Sequence, residues 1–149
     1  MIEAFHTRVK ANEGIKVPLY LPSGEKTEHW IKIRGVDSDA FRAAEVESRR
    51  EAARIASLDE AERVEAIEVA KRALLASLVI GWSFDKDCTS SNVEEFFHQA
   101  PQIADAVDQV ATKRSLFFGK GLSGSRPLQK SNSDLVEPQK DQSKPSEQV

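Results

Sequence analysis

The residues of this chain that could carry out chemistry are three histidines, one cysteine and a glycine–lysine pair. His6, His29 and His98 could bind a metal, but they fall in three different predicted elements and show no metal-ligand spacing. Cys88 could act as a nucleophile with His98, yet no third group or oxyanion arrangement accompanies them. Gly119-Lys120-Gly121 lacks the spacing of a phosphate-binding loop. We therefore predict no enzyme activity, no catalytic residue, no metal site and no cofactor.

The composition is that of a chain of ordinary polarity. It has 149 residues, of which 40% are hydrophobic and 30% charged, and its net charge is −3. A general binder of phosphate backbones needs a concentration of Lys and Arg, so we predict no nucleic-acid partner. No secretory signal is visible at the N-terminus, and the longest apolar run, residues 73–82, is shorter than the ~20 residues that span a bilayer. We expect a soluble, intracellular protein with no membrane partner.

Residues 14–34 have the pattern of a β-hairpin. Apolar residues alternate with others from Ile15 to Leu21, and Pro22-Ser23-Gly24-Glu25 has the composition of a turn. Pro18 lacks a backbone donor, which places the first strand at a sheet edge. That edge either packs within the fold or accepts a strand from another chain.

Helical periodicity predicts four helices after the hairpin. The first covers 39–56, the second 58–80, the third is short, and the fourth follows Pro101. The predicted end signals are Asp37 or Ser38, Ser57 with Glu60, Gly81, and Ser91 with Glu94. The predicted fold class is α+β, mainly α: an N-terminal β-hairpin followed by a bundle of about four helices.

A basic cluster on the first predicted helix is the only candidate for a nucleic-acid contact. Its members are Arg49, Arg50 and Arg54, and acidic residues lie within one turn of them. The spacing favours a solvated face of internal ion pairs. A small helical nucleic-acid-binding regulator is kept as an alternative function.

The composition changes near residue 119. Residues 119–125 are rich in glycine and serine, and from there to residue 149 there is no aromatic residue. Such a segment cannot bury enough apolar surface to offset ~1–2 kcal/mol of backbone ordering per residue. We predict a domain over residues 1–118 and a disordered tail over 119–149.

Aromatic residues are concentrated between positions 82 and 118. They form the core where helices meet, or some of them are exposed as anchors for a partner. The apolar run that leads into this region and overlaps its start, residues 73–84, is either core or a contact or self-association surface. The candidate partner-binding residues are Leu74, Leu75, Leu78, Val79, Trp82, Phe84, Phe96, Phe97, Phe117 and Phe118.

A series of short motifs in this region carries a family resemblance. The motifs are Leu78-Val79-Ile80-Gly81-Trp82-Ser83-Phe84, Asp85-Lys86-Asp87, Ser90-Ser91-Asn92-Val93, Glu94-Glu95-Phe96-Phe97, Ala100-Pro101-Gln102-Ile103 and Lys113-Arg114-Ser115-Leu116-Phe117-Phe118. In this order, after a β-hairpin, they resemble the tail assembly chaperones of long-tailed, siphovirus-like bacteriophages. Ser83 stands where that family more usually has Asn.

The resemblance implies a binding protein of viral morphogenesis. Such chaperones bind and solubilise the tape measure protein and help to recruit tail tube protein subunits. They act in the host cell cytoplasm and are absent from the mature virion. Many are also made in a longer, frameshifted form, which here would diverge near residue 119. A structural tail or tail-completion protein of the virion is a further alternative.

Overall fold

The computed structural model of the chain describes residues 1–119. Its elements are a 3-10 turn (Ile2–Phe5), α1 (Arg8–Glu13), β1 (Ile15–Tyr20), β2 (Lys26–Ile33), α2 (Asp39–Ala56), α3 (Glu60–Ala76), β3 (Val79–Trp82), α4 (Ser90–Gln99), α5 (Pro101–Thr112) and a second 3-10 turn (Arg114–Phe118). The predicted α+β, mainly α fold with an N-terminal hairpin is confirmed; α2 to α5 are the main helices, and α1 is an additional short one. Apart from Gly119, the predicted tail lies outside the described residues.

The predicted hairpin forms two of the three strands of an antiparallel sheet. The strand order is β1-β2-β3, so β1, which contains Pro18, lies at an edge as predicted. Val17 pairs with Ile31. The buried residues of the sheet all belong to the main core: Val17, Leu19, Ile31, Ile33 and Val79. Trp30 lies on the opposite face, where the Lys16 ammonium sits 4.2 Å from the centre of its ring.

The C-terminal end of the second predicted helix, residues 77–80, is wrong. Periodicity predicts one helix over 58–80 ended by Gly81, but α3 ends at Ala76 and the chain then forms β3. Gly81 lies within that strand, opposite Lys32 of β2. The aliphatic run includes β-branched residues, which favour an extended chain. Pairing with β2 also gives hydrogen-bond partners to backbone N–H and C=O groups that would otherwise be buried beside the core without them. Tertiary pairing thus overrides helical periodicity.

The helix caps agree with the prediction at α2 and differ at the next two helices. Ser38 is fully buried and caps α2, since its hydroxyl accepts the backbone N–H three residues on at 3.2 Å. At α3 the cap is Asp59 instead of Ser57, with the corresponding bond at 2.9 Å. At α4 it is Thr89 instead of Ser91, at 3.1 Å. Both caps have an extended backbone, which a cap needs to turn its oxygen back onto the first turn.

One apolar core lies between the sheet and the helices. All three strands and each of the helices α2 to α5 contribute buried side chains to it. The largest fully buried members are Val17, Ile31, Ile33, Leu78, Val93, Phe97, Val107 and Val110. Pro101 opens α5 as predicted, at a position where its missing N–H costs nothing.

The two ends of the described chain meet beside the start of α2. The Gly35 N–H donates to the Ala11 carbonyl at 3.0 Å, and Phe117 is buried. Asp37 accepts hydrogen bonds from Arg114 at 2.6 and 2.9 Å and from Arg42 at 3.0 Å. The final 3-10 turn is therefore tied to the rest of the fold by an ion pair as well as by an apolar contact.

Candidate functional site

The side chains with chemical potential are dispersed over the structure. The His29 ring lies 3.0 Å from the Ser83 hydroxyl, whereas His98 is exposed at the end of α4. Cys88 is half-buried, and this burial raises the pKa of its thiol. Within residues 1–119, no cluster of three or more His, Cys, Asp or Glu side chains is arranged to hold a metal ion. None of the helices in the same range is long and apolar enough to cross a membrane.

The ten predicted partner-binding residues differ in how exposed their side chains are. Leu78, Val79, Phe97 and Phe117 are buried, so their side chains are not accessible to a partner in this conformation. The partly buried members are Leu74, Leu75, Trp82, Phe84 and Phe96, and Phe118 is exposed. In both adjacent phenylalanine pairs one ring is buried and the other is more accessible, because neighbours on one turn cannot point the same way.

Three of the accessible aromatics form one group, which we call the aromatic cluster: Trp82, Phe84 and Phe96. Their ring centres lie 5.2 to 5.7 Å apart in edge-to-face arrangements, the geometry favoured by the ring quadrupoles. The indole N–H of Trp82 donates to the Lys86 carbonyl at 2.7 Å. The apolar edges of the cluster are half-exposed while its polar group is satisfied, which is how aromatic anchors are presented at interfaces.

Ser83 lies directly after β3, between Trp82 and Phe84 in the sequence, and its side chain has a structural role. Its hydroxyl accepts the Trp30 N–H at 2.9 Å, and its own N–H donates to the Trp30 carbonyl at 3.1 Å. These bonds continue the pairing of the sheet beyond Trp82. They hold Trp82 and Phe84 in extended chain, two residues apart, so both rings reach Phe96.

A second accessible surface, not predicted from the sequence, lies between α2 and α3. We call it the α2–α3 groove; it is open, has a volume of about 420 Å³, and is predominantly apolar. The residues that line it are Ser48, Ala52, Ile55, Ala56, Arg63, Ile67, Ala70, Lys71 and Leu74. Alanines form much of its floor, and Ile67 stands at its side with 47% of its surface exposed. Leu74 is the one predicted partner-binding residue in it.

Two cationic side chains border this groove. One NH2 group of Arg63 donates to the Leu58 carbonyl at 3.1 Å, while its Nε is buried without a hydrogen-bond partner among the described residues. In residues 1–119, the ion pairs involve neither Arg63 nor Lys71. The groove therefore combines an apolar floor with two positive charges that lack a carboxylate in this part of the chain.

The arginine cluster of α2 shows the predicted pairing. Arg50 binds Glu47 at 2.8 Å and Arg54 binds Glu51 at 2.5 Å, both with i, i+3 spacing along one face. The pairing lowers the pKa of Glu51 and raises that of Arg54, as expected for a mutual ion pair. Two of the three arginines are thus engaged within their own helix, which leaves little free charge for a phosphate backbone.

No protein-family model, curated protein or solved structure matches this chain.

Proposed function

We propose that this protein is a phage tail assembly chaperone, which binds and solubilises the tape measure protein and helps to recruit tail tube protein subunits. The proposal joins the family resemblance of residues 78–118 to one structural observation, the α2–α3 groove. An apolar groove between two helices suits the apolar face of a partner helix.

The size of the groove fits a helical partner of limited contact length. Its α3 wall extends from Arg63 to Leu74. These eleven helical steps cover about 16 Å, or about three turns of a partner helix. A contact of this length is weak by itself, and a chaperone that coats a long helix gains affinity by repeating it along the partner. The aromatic cluster offers a second contact, for the same partner or for a neighbouring copy.

The proposed location is the host cell cytoplasm, with the protein absent from the mature virion. Mass spectrometry of purified particles tests this point. Finding the chain there at the level of a structural subunit would favour a virion tail component instead.

The function is tested by co-expression with the long, helix-rich protein encoded by a neighbouring gene. We expect that partner to be soluble and to co-purify with this chain, and to be insoluble without it. A partner that is equally soluble alone and shows no association would contradict the proposal.

The contribution of the groove is tested by Ile67→Asp, with Val69→Asp as the matched control. Both residues lie on α3 and have similar exposure, 47% and 43%, but only Ile67 lines the groove. Burial of the exposed half of an isoleucine contributes about 1 kcal/mol, so its loss weakens each contact about fivefold, and the added charge weakens it further. We expect Ile67→Asp to abolish co-purification and Val69→Asp to preserve it. Equal binding by both variants would exclude the groove.

A further inference from the structure

The sheet has a second face, opposite the core, which we call the outer face. Lys16 of β1 pairs with Lys32 of β2 on this face. The next pair along the same face is Pro18 with Trp30. Gly81 of β3 extends the row of lysines, because it pairs with the other side of Lys32. Lys16 is exposed and the other four residues are partly exposed, so an aromatic centre beside a row of lysines is open to solvent.

The positive charge on these strands is not compensated. The charged residues of β1 and β2 are three lysines and one glutamate: Lys16, Lys26, Lys32 and Glu28. Among residues 1–119, none of these lysines takes part in an ion pair. The whole chain has a net charge of −3, so the two strands are positive within an acidic protein. Such a separation of charge favours an acidic partner at this face.

Gly81 is a glycine that neither the backbone nor the packing requires. Its φ is not positive, and a Cβ added to it would meet no atom within 4 Å beyond its own chain neighbours. The register shift beside it, between Lys32 and Ile33, does not require glycine either, because the bulge that does has a positive φ. A glycine inside a strand often marks the close approach of a ligand or of another backbone. The bare backbone beside Lys32 therefore fits a chain that lies directly on the sheet.

We infer that the outer face of the sheet binds an acidic, extended segment of a protein partner. The segment lies over Gly81 and against Trp30, and its carboxylates pair with Lys16 and Lys32. Neighbouring strands are about 4.8 Å apart, so the row from Gly81 to Lys16 is about 10 Å wide. Carboxylates two or three residues apart on an extended chain are separated by about 7 to 10 Å, which matches this row. Trp30 supplies the aromatic anchor that such interfaces favour.

A protein segment fits this face better than a nucleic acid does. The Lys16 ammonium lies 4.2 Å from the centre of the Trp30 ring and occupies the ring face on which a base would stack. Glu28 and the negative charge of the whole chain oppose a polyphosphate. The chain's own residues 120–149 do not supply the acidic segment, because they carry five basic and four acidic residues.

This docking surface differs from the α2–α3 groove in its elements and in its chemistry. The groove is apolar and lies between two helices, whereas the outer face is formed by strands and combines an aromatic residue with lysines. One chain therefore has separate places for two partners. The inference about the outer face does not rest on the function proposed above.

Binding is tested with a blocked peptide of alternating glutamate and valine, added to the isotope-labelled, full-length chain and followed by NMR. We expect the backbone amide signals of Lys16, Trp30, Lys32 and Gly81 to shift as peptide is added, and that of Ile67 in the groove to stay unchanged. The shifts should become smaller as salt is added, because exposed ion pairs are screened. A peptide of alternating lysine and valine should give no shifts. Absence of shifts with the acidic peptide, or equal shifts with both peptides, would overturn the inference.

Variants separate docking from folding. Gly81→Val fills the open space with a residue that favours strands, so the unfolding free energy should not fall while the affinity for the acidic peptide drops about tenfold. Gly81→Ala adds less and should weaken binding by a smaller factor. Lys16→Glu with Lys32→Glu should abolish the shifts. The same change in charge outside the sheet, Lys71→Glu with Lys113→Glu, should preserve them. A folded Gly81→Val chain that binds as tightly as the wild type would refute the assigned contact, and so would loss of binding in the control pair.

Two further measurements address other occupants. A short oligothymidylate should shift these signals less than the acidic peptide does; larger shifts would assign the face to single-stranded nucleic acid and overturn the inference. The sedimentation coefficient of the free chain should be the same with and without Lys16→Glu and Lys32→Glu; a fall in the variant would assign the face to a second copy instead. None of these measurements uses the co-expression partner, so a failure here leaves the chaperone test standing, and a failure of the chaperone test leaves docking at the sheet unaffected.

Discussion

Replacing Asp37 with asparagine tests whether one carboxylate holds the C-terminal turn against the rest of the domain. The Asp37 side chain is only 15% exposed, and it accepts hydrogen bonds from Arg114 and Arg42. Arg114 is 77 residues away in sequence, so the contact closes the fold between the start of α2 and the final 3-10 turn. Asparagine preserves the size of the side chain and removes its charge.

The expected cost is about 1 kcal/mol of unfolding free energy. Hydrogen bonds to charged groups contribute about 1.5–3 kcal/mol each where both partners are dry. Here both guanidinium groups are more than half exposed, at 54% and 55%, so each pair is closer to a surface ion pair of about 0.2–1 kcal/mol. Asparagine also retains an acceptor. The expected loss of unfolding free energy is therefore close to the combined contribution of two surface ion pairs.

The pH dependence has a defined sign. The hydrogen bonds from Arg114 hold the pKa of Asp37 well below its usual range. The stability that this carboxylate contributes is complete well above its unfolded-state pKa of about 3.9, and it declines as the pH falls below that value toward the lower folded-state pKa. The difference between the wild type and Asp37→Asn should be constant from about pH 5 to 7 and narrow steadily at lower pH.

The assay is urea denaturation followed by tryptophan fluorescence, repeated across pH. Asp39→Asn is the control, since Asp39 also binds an arginine, Arg8, but is 63% exposed. We expect a loss of about 0.5 kcal/mol or less there. A difference between wild type and Asp37→Asn that is absent at pH 7, or that does not narrow on acidification, would refute the reasoning.

Three further predictions concern single positions. Trp82→Ala should lower the unfolding free energy by about 2 kcal/mol, because it removes half-buried apolar surface and the edge-to-face contacts with Phe84 and Phe96. Trp82→Phe should lower it by less, and both are measured by circular dichroism in urea. Gly14→Ala should destabilise more than Gly24→Ala in the same assay: both glycines have positive φ, but only at Gly14 would a Cβ lie 2.7 Å from the Ile33 carbonyl oxygen. The Cys88 thiol, whose pKa is raised by burial, should react with a disulfide reagent at pH 8 more slowly in the folded than in the unfolded protein; equal rates would contradict its burial.

Local signals account for the parts of the fold that were predicted. The alternation around Val17 and the turn at Gly24 specify the hairpin, because each depends on neighbours in sequence. The buried cap Ser38 and Pro101 likewise mark the starts of α2 and α5. The third strand was missed because its partner, β2, is about 50 residues away, and no periodicity within the apolar run reports on a strand that distant.

The groove was missed for a related reason. Val64 and Ile67 are apolar residues three positions apart on α3, a spacing typical of a buried helix face, yet both are exposed. Three of the four α2 residues that line the groove are small, namely Ser48, Ala52 and Ala56, and they leave open the space that larger side chains would fill. Residue types alone predicted which positions are apolar, but the volume left between two helices depends on both of them together.

The third strand also has a consequence for how the domain is assembled. Val79 pairs with Ile33, so α2 and α3 form a loop that leaves the sheet and returns to it. The Arg34 N–H and the Leu78 carbonyl close this loop at 2.8 Å. Closing a loop of more than 40 residues is entropically unfavourable until its interior is shortened by structure. The helical pair should therefore form before the sheet is completed, and its tip at residues 57–59 is the place where a new chain end or an inserted sequence would disturb folding least.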